Sequence, residues 1–326
     1  MLQPHEIIWS TSTAAVTARC LQVVADLSVA DYVGDEPVRV DEVARRCGAD
    51  PAALARVLTL LSAHGIFERH DDSIGHTDAS RLLRSDDARS MRAFPRMFGS
   101  PSFLRSFEHL DHSVRTGQPA IEQLDPRGLW AYLQDHPAEA DVFGQAMAAK
   151  AGADIAAVLA TYDFGRFGTI ADIGGGQGHL LAAILADQPG ARGVLFDLPP
   201  VAASVEATDR LTVQPGDFFR DPLPKADAYL LMEVIHDWDD PEAVAILGAI
   251  RRAAPAGATV LIIEGVVPDG PPDPRVHTLD VVMLAMTGGR ERSADELGQL
   301  LHRAGFERRN VQPTPGAMHI VEAVAA

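Results

Sequence analysis

The chain has 326 residues, with 28 Lys and Arg against 45 Asp and Glu, giving a net charge of 28 − 45 = −17 and a sequence pI near 5.0. That length suits two domains of about 100–200 residues each, and the acidity argues against a nucleic-acid partner, whose phosphates are met by clustered Lys and Arg. The two cysteines, Cys20 and Cys47, sit in apolar helix-like settings that suggest neither a disulfide framework nor a cysteine metal site but buried thiols in a reducing cytoplasm; with no basic stretch ahead of an apolar core at the N-terminus and no uninterrupted apolar run near ~18 residues, neither export nor a membrane partner is expected.

From residue 7 to about 33, Ile8, Ala15, Ala18, Leu21, Val24, Ala25 and Leu27 recur at helical spacing. Residues 40–67 read helix, turn, helix. Asp41 is placed to cap 42–47 and Gly48 to end it; Asp50 with Pro51 opens 52–64, and Gly65 closes it. A hairpin follows at 66–69 and 73–77, and the whole resembles a winged helix. Such a fold often reads DNA, yet over 41–70 Arg45, Arg46, Arg56 and Arg69 are balanced by Asp41, Glu42, Asp50 and Glu68, 4 − 4 = 0. The second helix carries only Arg56 among Leu54, Val57, Leu58 and Leu61, a surface for packing on protein rather than on phosphates.

Residues 85–160 read as helices at 90–98, 102–116, 128–134 and 137–160, rich in large apolar side chains that include Trp130, Phe143 and Met147. Beyond Gly168 the pattern alternates: strand 169–173, helix 178–187, strand 192–196, helix 199–207, strands 211–213 and 226–232, helix 241–253, strand 258–264, helix 293–304, strand 318–324. Alternation of this kind predicts an α/β fold built on a parallel sheet.

The first of those strands runs into Asp172, Gly174, Gly175, Gly176 and Gly178 before the next helix. Glycines let the backbone turn sharply and approach a ligand, and the helix start presents free N–H groups. The dinucleotide spacing G-x-G-x-x-G fails, because its third position falls on His179. The pattern that fits is D-x-G-x-G-x-G, with Asp172 placed for a cationic amino group. It resembles motif I of the S-adenosylmethionine-dependent methyltransferases. Asp197, ending the next strand 23 residues after Gly174, lies near the roughly 20-residue offset at which a carboxylate meets ribose hydroxyls. Asp217 and Phe218, at another strand end, suit an adenine amino group and ring.

His236 lies just past the strand 226–232, at the edge where open α/β sheets bind ligands, and imidazole suits proton transfer near neutral pH. Glu264 ends another strand and Glu291 follows Gly288-Gly289-Arg290; if both converge on His236, they orient it and stabilise its charged form.

The order of these motifs gives a more specific resemblance. Winged helix, helical connector, D-x-G-G-G-x-G, F-D-L-P at 196–199, G-D-F-F at 216–219, H-D-W at 236–238, Glu264, M-L-A at 283–285 and G-G-R-E-R at 288–292 together resemble the plant-type small-molecule O-methyltransferases and their bacterial, natural-product-tailoring relatives. The resemblance implies a Rossmann-like class I S-adenosylmethionine methyltransferase sheet behind an N-terminal, mostly helical winged-helix dimerisation domain. It divides the chain into 1–95 for dimerisation, 96–160 as a connector contributing to the substrate pocket, and 161–326 for cofactor binding and catalysis. It implies His236 as general base with Glu264 and Glu291 as catalytic partners; Asp172, Gly174, Gly176, Gly178, Asp197, Leu198, Asp217 and Phe218 for S-adenosylmethionine; and Trp130, Phe143, Met147, Asp237 and Met283 for a small aromatic acceptor. It implies a homodimer, the cytoplasmic setting being read from the cysteines and the N-terminus, and no metal is called for. Two positions depart from the family pattern: Met232 stands where a lysine is common and Ala151 where a serine is common. The alternative is a relative that binds the same cofactor for hydroxylation, decarboxylation or C- or N-methylation.

Overall fold

The computed structural model describes residues 3–326, which fall into two compact units, one of residues up to Leu104 with Pro137–Lys150 and one of Arg105–His136 with Ala151–Ala326.

In the first unit the helix Pro4–Asp26 buries only its C-terminal end, through Gln22, Val24 and Ala25. The helices Val40–Cys47 and Pro51–Ala63 follow, and both stop at glycines in the left-handed region, Gly48 at φ +71° and Gly65 at φ +75°, where a side chain is disfavoured. The hairpin Phe67–His70 and Ser73–His76 is joined by Val38–Arg39 in a three-stranded antiparallel sheet with Ser73–His76 in the middle. Val24, Val29, Val43, Leu54, Leu58, Leu61, Phe67 and Ile74 share one core. Asp50 caps as expected, its carboxylate accepting from the Ala53 amide at 2.8 Å. Asp41 does not: the helix begins at Val40 with Arg39 at the cap, and Asp41 sits in the first turn, bonded to Arg39 and to the Glu42 amide.

The expected helix 102–116 is two, Pro101–Glu108 and Leu110–Thr116, because the His109 amide bonds three residues back to the Ser106 carbonyl and breaks the α ladder. The helix Pro137–Thr161 is long and apolar enough to cross a membrane by length and composition. It carries Glu139, Asp141, Lys150 and Asp154, and at its end Ile155 and Val158 are buried in a core of the second unit.

The second unit is built on a seven-stranded sheet in the order Phe306–Pro313, His319–Ala325, Thr259–Glu264, Ala228–Met232, Thr169–Ile173, Arg192–Asp197, Leu211–Pro215. The last five of these are mutually parallel and the first two add antiparallel. Thr259–Glu264 is buried throughout. Alternation puts Tyr229, Leu231, Val260 and Ile262 in one core and Leu230, Leu261 and Ile263 in the other, as a sheet covered on both faces requires. The chain runs outward from Thr169–Ile173 to one side and then crosses to Ala228–Met232 on the other, so the strand order reverses between these neighbours. Ligands bind at such a reversal, beyond the carboxyl ends of the strands.

Longer elements of this unit also differ from expectation. The helix at 199–207 spans only Pro199–Ala202, after which the Ser204 hydroxyl donates to the Val201 carbonyl in a turn. The helix Pro274–Met286 and the strand Phe306–Pro313 are additions.

Asp50→Ala, which strips the cap from the Ala53 amide, is expected to cost about 1 kcal/mol in chemical denaturation. Asp41→Ala, which caps no helix, should leave the midpoint nearly unchanged.

Candidate active site

The strand Ala228–Met232 is cut short by Glu233, which takes a left-handed φ of +53°, and the chain then enters a single 3-10 turn, Ile235–Asp237. This turn carries His236, 5% exposed. Its Nδ1 lies 2.8 Å from Oε1 of Glu291, whose side chain has no exposed surface. An ionised carboxylate only accepts, so Nδ1 keeps its hydrogen and the lone pair of the neutral ring resides on Nε2. Oδ1 of Asp237 stands 3.8 Å from Nε2, beyond hydrogen-bond reach.

The two glutamates divide the work. Glu264 makes its hydrogen bonds to the backbone beneath the ring, Oε1 accepting from the amides of Ile235 at 2.6 Å and His236 at 3.2 Å. A buried turn needs acceptors for its first amides, and a strand-end carboxylate supplies them. Burial disfavours a charged imidazole, but the Glu291 hydrogen bond and the negative charges of Asp237, Glu264 and Glu291 outweigh it and push the His236 pKa up to about 10. Burial also pushes Glu264 up to about 7, against the pull of His236.

On the neighbouring strand, Gly174, Gly176 and Gly178 all have positive φ, and Gly178 caps the helix His179–Asp187. A Cβ on Gly176 would meet nothing within 4 Å, whereas one on Gly175 would lie 2.4 Å from the Asp172 carboxyl carbon. Gly175 therefore gives Asp172 its room. Asp172 is 1% exposed and neither carboxylate oxygen has a hydrogen-bond partner, the Leu181 amide lowering its pKa without reaching hydrogen-bond geometry. Burial first, and then the Asp197 charge, push its pKa up to about 7. Asp197 accepts from the Gly176 amide at 2.8 Å and the Leu198 amide at 2.7 Å, and burial raises its pKa despite both. Two acids beside an open glycine turn, one of them orphaned, fit a ligand with a cationic amino end and a diol, as S-adenosylmethionine has.

Asp217 turns back on its own loop, Oδ1 accepting from the Phe219 amide at 2.9 Å. The Phe218 ring would lie 3.8 Å from a Cβ on Gly174, and so borders the glycine turn. It meets Trp238 edge-on at 5.6 Å, Phe219 meets Trp238 at 4.8 Å, and Trp130 stacks on the same indole at 6.5 Å. Trp130, Phe218 and the His236 turn thus share one aromatic wall. Met283 is buried on the helix Pro274–Met286. Phe143 and Met147 lie on the part of Pro137–Thr161 that belongs to the first unit, half-buried, and the remaining site candidates belong to the second. Met232 and Ala151, the departures from the family pattern, pack on the core beneath the sheet as apolar filler.

Two contributors to the site escaped the sequence reading. Arg292 is a wholly buried arginine whose donors enter the same turn. Gly289 presses on it from outside: a Cβ there would stand 2.0 Å from the His236 carbonyl oxygen. The paired glycines 288–289 before a charged run were the available signal. Gly289→Ala is expected to displace the turn and cut turnover by about 10²-fold. Gly190→Ala, where a Cβ meets nothing within 4 Å, should not; equal turnover in both variants would show that the close approach does not set the ring.

The chain matches the model of an O-methyltransferase domain over residues 107–307 and that of an O-methyltransferase dimerisation domain over residues 9–86. It is 38% identical over 325 residues to phenazine O-methyltransferase PhzM of Lysobacter antibioticus, an alignment covering 97% of this chain and 95% of that protein. The crystal structure of LaPhzM aligns over 100% of both chains with a TM-score of 0.94 and 37% identity. NcsB1, an O-methyltransferase of neocarzinostatin biosynthesis solved with S-adenosylmethionine and 2-hydroxy-5-methyl naphthoic acid, aligns over 95% of this chain and 96% of its own with a TM-score of 0.80 and 35% identity. With both family models matched along most of its length and a relative 38% identical over 97% of it, the chain belongs to the S-adenosylmethionine-dependent O-methyltransferase family.

Proposed function

We propose that this O-methyltransferase acts on a hydroxyl of a small aromatic metabolite, with His236 as general base and Glu291 as the group that orients it. The observation that carries the reading is the buried His236–Glu291 pair at 2.8 Å, which leaves Nε2 free at the same sheet edge as the glycine turn.

When bound, S-adenosylmethionine supplies a methyl group on a positively charged sulfur, a leaving group that needs no activation by the protein. The protein's task is alignment and proton removal. Orientation of reacting groups is worth up to about 7–11 kcal/mol. On this reading Asp172 meets the cationic amino end, Asp197 and Leu198 the ribose, and Phe218 the adenine ring; Asp217, whose carboxylate bonds within its own loop, is assigned to the adenine by family resemblance alone. The acceptor's proton passes to Nε2, and the resulting imidazolium is held by Glu291. The carboxylates around His236, Glu291 first, raise its basicity and so strengthen neutral Nε2 as a proton acceptor.

Trp130 in the aromatic wall, Met283 in the helix and Asp237 beside Nε2 support a flat acceptor bearing a polar group. Phe143 and Met147 are assigned to the acceptor by family resemblance alone. The functional division into 1–95, 96–160 and 161–326 is part of the same reading. So is a homodimer through the N-terminal domain, where the helix Pro4–Asp26 exposes Ile7, Ile8, Trp9 and Val16 at 50%, 69%, 70% and 57%. The free thiols of Cys20 and Cys47 support a cytoplasmic setting, and the charge of −17 a role away from nucleic acid.

With a phenolic acceptor, methylated product and S-adenosylhomocysteine are expected in equal amounts; S-adenosylmethionine binding without either would favour another tailoring reaction. His236→Ala should lower kcat by about 10²–10⁴ and leave cofactor affinity in place, and wild-type turnover would remove the base assignment. The active base is neutral imidazole, so kcat/KM should rise with pH on the alkaline side. In Glu291→Gln, which removes the largest of the effects that raise the His236 pKa, that rise should move to lower pH. Cofactor affinity, measured by calorimetry, should increase as pH climbs through about 7 and Asp172 ionises. Asp172→Asn should bind more weakly and lose that dependence; an unchanged profile would take Asp172 out of the contact.

A further inference from the structure

Arg292 has the largest of the fully buried side chains, 1% exposed, one residue beyond Glu291. A guanidinium out of water needs a partner for each donor, and where those partners lie shows what it holds. Nη1 donates to the Ile235 carbonyl at 3.1 Å, just before His236, and to the Arg290 carbonyl at 3.3 Å. Nη2 donates to the Trp238 carbonyl at 2.7 Å, two residues after His236. Nε and Nη2 both reach Oδ1 of Asp240, at 3.0 and 2.9 Å, in the first turn of the helix Asp240–Ala253. The fork thus spans the histidine turn from one end to the other.

The same segment is tied to the second carboxylate. Arg292 and Ser293 pair in parallel with Val266 and Val267, two residues past Glu264. Glu264 takes the amides of Ile235 and His236, and Arg292 takes the carbonyls of Ile235 and Trp238.

We propose that Arg292 is a positioning residue for methyl transfer: it fixes the Ile235–Trp238 backbone so that the His236 ring stays in register with Glu291. This rests on the reading of His236 as the base. An apolar side chain would fill the space, and an ion pair with Asp240 would balance the charge, but neither would bridge carbonyls on both sides of His236. Lysine keeps the charge and presents its donors from a single nitrogen, so it cannot reproduce a planar fork across the turn.

The test compares Arg292→Lys, which retains a cation for Asp240 and loses the bridge, with Asp240→Asn, which retains the bridge and loses the ion pair. Positioning predicts that R292K loses about 10²-fold in kcat, with KM for acceptor and cofactor affinity little changed and the alkaline rise of kcat/KM displaced. D240N should stay within about threefold of wild type. Adding Glu291→Gln to R292K should cost far less than E291Q does alone in the wild type, because both act through one ring. Wild-type kcat and pH profile in R292K would overturn the proposal, as would equal losses in R292K and D240N that track their melting temperatures. His236→Ala run alongside separates the two ideas: near-full activity there overturns the base reading and this inference with it, whereas an inactive H236A beside a normal R292K overturns the inference alone.

Discussion

A one-turn 3-10 helix carrying an imidazole has been taken out of water, and the surroundings of this site answer the polar groups that move stranded. Leaving a buried donor or acceptor unmet costs about 1–3 kcal/mol each, and the segment Ile235–Trp238 brings several at once. Glu264 meets its first amides, Arg292 its carbonyls and Glu291 the ring nitrogen, while Gly289 contributes the absence of a side chain where the backbones touch. The charges that result, one guanidinium and two glutamates, are directed at specific hydrogen-bonding groups rather than left diffuse, although Oε2 of Glu291 is buried without a partner.

The sheet explains why this is possible at that point in the chain. A strand buried on all sides, such as Thr259–Glu264, delivers its last residue to the rim with little positional freedom, so Glu264 arrives where the turn needs it. Ala228–Met232 and Thr169–Ile173 are hydrogen-bonded neighbours at the reversal of strand order, which sets the histidine turn beside the glycine turn. On the cofactor side the logic is reversed. Asp172 is buried with no partner at either oxygen, a cost retained in the folded chain that a cationic ligand would relieve.

What could be read in the sequence was what depends on local chemistry. The glycine turn is a backbone requirement, visible as Gly174, Gly175, Gly176 and Gly178, and its failed dinucleotide spacing was informative. Asp50-Pro51 and the hairpin signals likewise gave boundaries within a residue or two. Patterns that depend on a neighbour were invisible. The edge strand Phe306–Pro313 exposes most of its side chains and owes its place to hydrogen bonds with His319–Ala325. Pro274–Met286 is apolar on most sides and shows no helical stripe, although Asp273 before Pro274 was a usable cap. The site divides in the same way. His236 stood out by position, but the separate tasks of Glu264 and Glu291 are set by tertiary approach across 28 and 55 residues of sequence. Arg292 and Gly289 were quoted as letters of a motif, with nothing local to say that one enters the turn and the other makes way for it.

The short parallel ladder between Val266–Val267 and Arg292–Ser293 has a dynamic consequence. It joins the segments that bear Glu264 and Glu291, and through them the histidine turn, to the most deeply buried strand of the sheet. Loops at ligand sites are ordinarily the first places to open in a native protein. Here the amides of Ile235 and His236 are donated to a carboxylate anchored in the core, so the turn has no cheap local excursion available. Opening it means breaking both hydrogen bonds to Glu264 at the end of a fully buried strand.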